Sequence, residues 1–431
     1  PADQQSIVQV SSVYVEKGLT QEAGFKFAIN SDPVQFEVYA APLSRKGWNS
    51  RLAQTENNAN PKIASVVNNN NFYAGIVAMV NGAPLFQLWS ASQLYGDFVE
   101  TSSWKLNEVS DVNSISYSFY SPDNANYFFF SDTQGRYLLS SLNFTSLELT
   151  DVMYGTFSNQ HTTFGSSSIS TNMGIYSLVA SRVYQKTGCA LAFDLITLRK
   201  ANKQELSTII DGMCLVQSGN VTSASVALAD LHSVSNSNKV GCDESSNVVA
   251  AVAYSNGQNI SYSVICIDVS SHVAYAISNL HNASIDVGNH PSIALQVIQD
   301  DVFFLEVHDS GFCWNTEDNN KDAYIYVCDL QPTSVPHILN YNYGSLLDLA
   351  DNIENGTLLQ PCSHNVMHGT YDMGDNPSVS LFTFTEDNHQ KIAMMEVHQG
   401  ISATVTDPTD CGLPFPFDGH VIDAWNLTIH Y

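Results

Sequence analysis

The sequence has few basic residues and no long apolar run. Lysine and arginine together number 16 against 42 aspartate and glutamate residues, so the formal net charge is −26. Nucleic acids and anionic membrane surfaces are bound through clustered cations, so nucleic acids are excluded as partners and anionic membrane surfaces are disfavoured. No stretch of 18 or more apolar residues occurs, so no membrane-spanning helix is expected.

The motifs of several enzyme classes are also missing. There is no Gly-X-Ser-X-Gly nucleophile elbow, no phosphate-binding glycine loop, no His-Glu-X-X-His and no dinucleotide fingerprint. No Cys-X-X-Cys pair occurs, which disfavours a zinc site built on cysteine. All arginines lie before residue 200, which disfavours an arginine cluster of the sialidase kind contributed by several parts of the chain. No catalytic residue is assigned.

Charge is unevenly distributed along the chain. Residues 1–203 carry 13 basic against 15 acidic residues, whereas residues 204–431 carry 3 against 27. A strongly acidic half is typical of a solvated surface that favours solubility. Calcium, a cationic partner, or the less acidic half of a second copy are the partners that this half could attract.

The chain contains a recurring alternating strand. A β-branched anchor marks each recurrence, and the seven anchors are Val13, Ile63, Ile115, Ile169, Val226, Ile293 and Val379. A second and a third strand follow each anchor, usually across polar turns, and a weaker fourth strand fits before the next anchor. Four antiparallel strands repeated in this way predict an all-β protein, a β-propeller with seven four-stranded blades. Six or eight blades are the nearest alternatives, and a pair of β-sandwich domains would also have short strands with frequent turns.

The repeat resembles the β-propeller superfamily, at the level of fold, over nearly the whole chain. We expect one domain over residues 1–431, with insertions at about 309–322 and 342–376 and blades that start near residues 8, 60, 112, 166, 223, 290 and 376. WD dipeptides, kelch double glycines and integrin-type calcium loops are absent, so no family within the superfamily is indicated. Propellers include lectins, adhesion modules, oxidases and lyases, so the resemblance leaves the function open.

Two features predict a secreted, extracellular protein. Asn-X-Ser/Thr triplets predict N-glycosylation at Asn143, Asn220, Asn259, Asn282, Asn355 and Asn426. Eight cysteines predict disulfides between neighbours in sequence, namely Cys189–Cys214, Cys242–Cys266, Cys313–Cys328 and Cys362–Cys411. Other connectivities are open from sequence alone. The chain begins at Pro1 without an apolar leader, which we interpret as a processed mature form.

A histidine cluster is the predicted binding site. Loops that enter inner strands and loops that join second to third strands share one face of a propeller. In the sixth and seventh predicted blades that face would gather His290, His308, His364, His368 and His398. Trp314 would be an aromatic there that could stack on a sugar. His290, His364 and His368 could hold a divalent metal such as Ca, Mn or Zn. Ordinary surface histidines with hydrogen bonds are the alternative interpretation.

The leading hypothesis is a secreted, glycosylated propeller that acts in recognition, adhesion or structural assembly at a cell surface. Its partner would be a glycan, a protein or a second copy, and it would require no cofactor. The alternative is a metal-assisted secreted enzyme, a polysaccharide lyase or hydrolase, that uses the histidine cluster.

Overall fold

The fold is given by a computed structural model, which describes the segments 23–27, 36–40, 60–92, 98–157, 161–173, 176–200, 207–235, 241–257, 259–277, 286–298, 300–309, 338–347, 349–350, 367–373, 375–386, 389–399 and 420–427. These segments are almost entirely β-strand, with a 3₁₀ turn at Ser121–Asp123. None of the helical turns in them has the length and apolar character needed to span a bilayer.

The strands form six antiparallel sheets, which we call blades 1 to 6, and one hairpin. The hairpin consists of β1 (Ala23–Phe27) and β2 (Phe36–Ala40). Blades 1 to 3 consist of β3 (Lys62–Asn68), β4 (Asn71–Val80), β5 (Ala83–Ala91) and β6 (Val99–Lys105); β7 (Val112–Tyr120), β8 (Ala125–Asp132), β9 (Arg136–Asn143) and β10 (Glu148–Thr156); β11 (Thr163–Met173), β12 (Tyr176–Lys186), β13 (Cys189–Lys200) and β14 (Ser207–Val216). Blades 4 to 6 consist of β15 (Ser223–Asp230), β16 (Val248–Ser255), β17 (Asn259–Asp268), β18 (Val273–Ala276) and β19 (Asp286–Val287); β20 (Asn289–Ile298), β21 (Asp301–Asp309), β22 (Ile338–Ser345) and β23 (Met367–Met373); β24 (Asp375–Glu386), β25 (His389–Gln399) and β26 (His420–Leu427).

The inner strands of the blades form a closed ring. Each contacts the next, in the order β3, β7, β11, β15, β20 and β24, and β24 contacts β3. At this last contact the Ser378 hydroxyl accepts the N–H of Ile63, and the Ser380 hydroxyl accepts the N–H of Ser65. Both partners advance by two residues in the same direction, so the neighbouring inner strands run parallel. This is the propeller arrangement that the repeat predicted.

The ring does not confirm the predicted number of blades. Five sheets have four or more strands, and the sheet of blade 6 has three described strands. Six of the seven anchors lie on the six inner strands, and the remaining anchor, Val13, lies outside the described residues. Direct contact between β24 and β3 leaves no space between them for another inner strand, so the ring formed by the described inner strands has six members. The N-terminal hairpin instead approaches the outside of blade 6, where β2 contacts β26.

Packing between blades explains the composition of the second strands. In β16, Val248, Ala250 and Val252 pack toward blade 3, whereas the alternate residues Val249 and Ala251 pack toward blade 5. A second strand is therefore buried on both faces, and β16 is buried at every position. Outer strands such as β6 alternate between exposed and partly buried residues, because one face and one edge meet solvent.

Two of the four predicted disulfides are present. Cys189 pairs with Cys214 across β13 and β14, and Cys242 pairs with Cys266 on β17. The other two predicted pairs, Cys313–Cys328 and Cys362–Cys411, lie outside the described residues. For these two disulfides, the prediction of pairing within a blade is confirmed.

Blade 5 differs from its predicted layout. Its third strand, β22, pairs directly with β21, although the sequence favoured residues 323–330 for that place. Strands β22 and β23 also take up both ends of the segment predicted as an insertion at about 342–376. Strand alternation indicates that a segment is extended, but tertiary contacts select which segment pairs.

Candidate functional site

The six inner strands enclose a central channel of ≈ 730 Å³. Its walls carry mainly small side chains, with many serine hydroxyls and several asparagine amides. Hydroxyl and amide groups would offer hydrogen bonds to a polar, uncharged ligand.

Some of the serines hold neighbouring blades together. In four blades a serine at the same level of the inner strand accepts a backbone N–H from the next inner strand; these are Ser114, Ser225, Ser292 and Ser378. We call this level the serine tier. Blade 3 has Gly165 there, where an added Cβ would lie 2.9 Å from the carbonyl oxygen of Ala224. Blade 1 has Lys62 there, so a cation replaces a hydroxyl at one place in the ring.

Lys62 lies near the end of the channel at which the inner strands begin, which we call the entry mouth. Burial lowers the pKa of its ammonium from 10.5 to about 8, and the charge of Asp309 opposes this only in part. Within the described residues no hydrogen bond or ion pair involves the ammonium. Among the residues that the structure describes, this partly buried cation therefore has no protein counterion at contact distance.

His290 and Asp309 form a pair on the same face. The buried Asp309 carboxylate lies 2.9 Å from His290 Nδ1 and also accepts the N–H of Asn376 at 2.9 Å. The His290 side chain is 51% exposed, and its backbone has a φ of 49°. Asn376 has the equivalent conformation one blade later, with a φ of 52°. Both residues precede a proline near the start of an inner strand. Asp309 therefore links the starts of the inner strands of blades 5 and 6.

His308 and His398, predicted as ligand-binding residues, are both buried. Each bonds through Nδ1 to a carboxylate two residues earlier on its own strand, at 3.0 Å from Glu306 and 3.0 Å from Glu396. Residues two apart on a strand share a face, and this face packs against the preceding blade. His308 and Glu306 therefore belong to a blade interface, and solvent does not reach them.

Glu306 is part of a polar network between blades 4 and 5. The Tyr262 hydroxyl donates to its carboxylate at 2.6 Å, and Asn342 Nδ2 donates to it at 3.1 Å. Arg182 in blade 3 occupies the position equivalent to Glu306 and is also fully buried, paired with Asp194 at 2.7 Å. The network around Glu306 thus joins blades 4 and 5, whereas the pair of Arg182 and Asp194 lies within blade 3.

The rest of the predicted histidine cluster is only partly described. Trp314 and His364 lie outside the described residues. The backbone of His368 is on the outer strand β23, paired with Asn342. The described parts of the chain contain no group of three histidine, cysteine or acidic side chains that could hold a metal ion. The predicted metal set of His290, His364 and His368 stays a prediction.

The opposite end of the channel, which we call the exit mouth, carries an aromatic side chain. Phe119 lines the channel and is 45% exposed. It lies five residues beyond Ser114 of the serine tier, as Asp230 lies five residues beyond Ser225, so both are near the exit mouth. Asn124, with a left-handed φ of 50°, and Asn126 also line this end. Tyr154, by contrast, is 65% exposed on the outer strand of the same blade.

Sequence reasoning missed Phe119 and Lys62 as site residues. Phe119 is the penultimate residue of an inner strand and precedes a turn, and this position could have marked it as a rim residue. Lys62 stands in Asn-Pro-Lys-Ile, where two other blades have Pro-Ser followed by Ile or Val. Comparing the residues at the start of each inner strand could therefore have singled out Lys62.

No protein-family model matches the sequence, and no curated protein matches it. Among solved structures, a triple arginine-to-alanine mutant of AofleA from Arthrobotrys oligospora is similar over 98% of both chains, with 9% identity and a TM-score of 0.46. Unmutated AofleA is similar over 92% of this chain and 88% of its own, with 11% identity and a TM-score of 0.44. An exo-beta-1,3-galactanase from Phanerochaete chrysosporium, with bound beta-1,3-galactotriose, is similar over 85% and 89%, with 8% identity and a TM-score of 0.37. The assignment of this chain as a β-propeller rests on its own strand pairing and closed ring.

Proposed function

We propose that the protein is a secreted, glycosylated recognition protein that binds glycan through its central channel. The observation that carries the proposal is Phe119, a half-exposed aromatic ring at the rim of a channel whose walls are hydroxyls and amides. Sugars present hydroxyl groups around their edge and C–H groups on their faces. An aromatic ring fits the C–H face, and hydroxyl and amide groups fit the edge.

The size of the channel favours a chain of sugars over a single ring. Lys62 and Phe119 lie about five strand residues apart along the ring wall, which corresponds to roughly 17 Å. A cavity of ≈ 730 Å³ falls within the usual range for ligand sites. We therefore expect an oligosaccharide that enters at the exit mouth and extends into the channel.

The test is a glycan array with the wild-type protein, followed by titration of the best glycan. Phe119→Ala should weaken binding about 3- to 10-fold, because aromatic contacts of this kind contribute about 0.5–1.5 kcal/mol. Tyr154→Ala is the matched control, since it removes an exposed aromatic from the same blade outside the channel. No bound glycan, or equal losses in the two variants, would contradict the proposal.

Secretion and glycosylation are part of the proposal. Two disulfides fit an oxidising compartment. The triplet asparagines Asn143 and Asn220 are exposed, so an oligosaccharide could be attached without displacing the core. Enzymatic release of N-glycans from the secreted protein should lower its mass, and an unchanged mass would contradict this part.

The same fold could also serve adhesion, assembly or protein binding. The glycan array and a sizing measurement by light scattering would distinguish these uses from glycan binding.

One observation favours the enzyme alternative, namely the half-exposed His290 held by the buried Asp309. Such a pair can act as acid or base. Elemental analysis of the purified protein is the discriminating measurement: stoichiometric Mn, Zn or Ca would favour the metal-assisted enzyme.

A further inference from the structure

Lys62 is out of place in the ring of inner strands. Four of the six blades have a serine at its level, and each of these hydroxyls accepts a backbone N–H from the neighbouring blade. A lysine cannot accept such a bond, so Lys62 gives up a contact that joins blades elsewhere. It also places a long charged side chain on the wall of a channel whose described lining is mainly uncharged.

The described part of the chain offers the charge of Lys62 no counterion at contact distance. Within the described residues the ammonium has no hydrogen bond and no ion pair. Asp309 is the carboxylate whose charge acts on it, but the Asp309 oxygens already accept from His290 and Asn376. Desolvated cations are normally paired, because burial without a partner is costly. An anionic group on a ligand would supply the missing partner.

We propose that Lys62 recognises an anionic substituent, a carboxylate or a sulfate ester, on a glycan bound in the channel. This inference rests on the proposed function and adds a ligand class to it. Asp230 is the other charged side chain among the described residues of the channel wall, and it lies near the exit mouth. The anionic substituent is therefore placed at the entry mouth, away from Asp230.

The net charge of −26 opposes the approach of any anion, but it acts mainly at long range. At physiological ionic strength, solvent-exposed charges beyond about 8 Å are largely screened. The contact with Lys62 is inside the channel, where screening is weaker. Selectivity between neutral and anionic forms of one sugar therefore depends on Lys62 more than on the distant surface.

The test compares glucose, glucuronate and glucose 6-sulfate by titration against the wild-type protein, Lys62→Met and Lys62→Arg. Wild type should bind one or both charged sugars at least 10-fold more tightly than glucose. Lys62→Met should abolish that preference, whereas Lys62→Arg should retain it. Lys105→Met, which removes an exposed lysine on the outer strand β6, is the matched control and should change nothing.

A pH series separates this role from a general effect of charge. Since the pKa of Lys62 is about 8, raising the pH from 7 to 9.5 should weaken binding of the charged sugars in wild type by up to about 30-fold, until their affinity equals that of glucose. The same change should have little effect in Lys62→Arg, because arginine stays protonated. Equal binding of all three sugars, with or without Lys62, would overturn the inference and leave the glycan proposal standing. Failure of every sugar and every array glycan to bind would overturn both.

Discussion

Replacing Lys62 by methionine is expected to stabilise the protein. The folded state lowers the pKa of the ammonium from 10.5 to about 8, mainly because the channel wall desolvates it. The protonated form is therefore less favourable in the folded chain than in the unfolded chain. A lowering of this size corresponds to at most about 3 kcal/mol at neutral pH. Methionine has a similar length and no charge, so it should remove that cost.

The expected gain depends on pH in a defined direction. Between pH 8 and 10.5 the unfolded chain binds more protons at this lysine than the folded chain, so the stability of wild type rises with pH. The advantage of Lys62→Met should therefore be about 3 kcal/mol at pH 7, about 2 at pH 9 and under about 1 at pH 10.

Urea denaturation of both proteins at these pH values is the assay, with Lys105→Met as the control. The exposed Lys105 should give a change within about 0.5 kcal/mol at each pH. A Lys62→Met variant that is less stable than wild type at pH 7, or a gain that is the same at pH 7 and pH 10, would refute the reasoning. Binding-site residues commonly lower the stability of the folded protein, because they are selected for ligand binding.

Two further predictions concern contacts within blade 3. Asp194→Asn should cost about 3–5 kcal/mol in urea denaturation, because it leaves the fully buried Arg182 without its carboxylate, whereas Arg182→Met combined with Asp194→Leu should cost less than Asp194→Asn alone. A double variant at least as unstable as Asp194→Asn would contradict this account. Replacing Cys189 and Cys214 together by serine should cost about 3 kcal/mol, since the bridge closes a loop across a sequence separation of 25. An unchanged unfolding midpoint would show that the bridge contributes nothing.

Much of the fold could be predicted from the repeat, because inner strands share a local pattern. Ile63, Ile293 and Val379 each follow a proline-containing entry, and each lies on an inner strand. The number of blades could not be predicted in this way. Ring closure is a contact between β24 and β3, which are more than 300 residues apart, and local alternation carries no information on such a contact.

The site was less predictable, because it depends on which face of a strand each residue takes. His308 and His398 both stand in Glu-Val-His, so each histidine shares a strand face with the preceding glutamate. The same face continues through apolar residues such as Phe304 and Met394, which indicates burial between blades. The burial of both histidines could therefore have been predicted from the sequence. The role of Lys62, however, appears only when six strands enclose a channel around it.

A crystal structure of the protein with the best array glycan tests the central claim most directly. We predict sugar electron density in the channel, with one sugar ring against Phe119 and the rest of the oligosaccharide extending toward Lys62. A glycan bound only to the outer strands, with a channel that holds water alone, would contradict it.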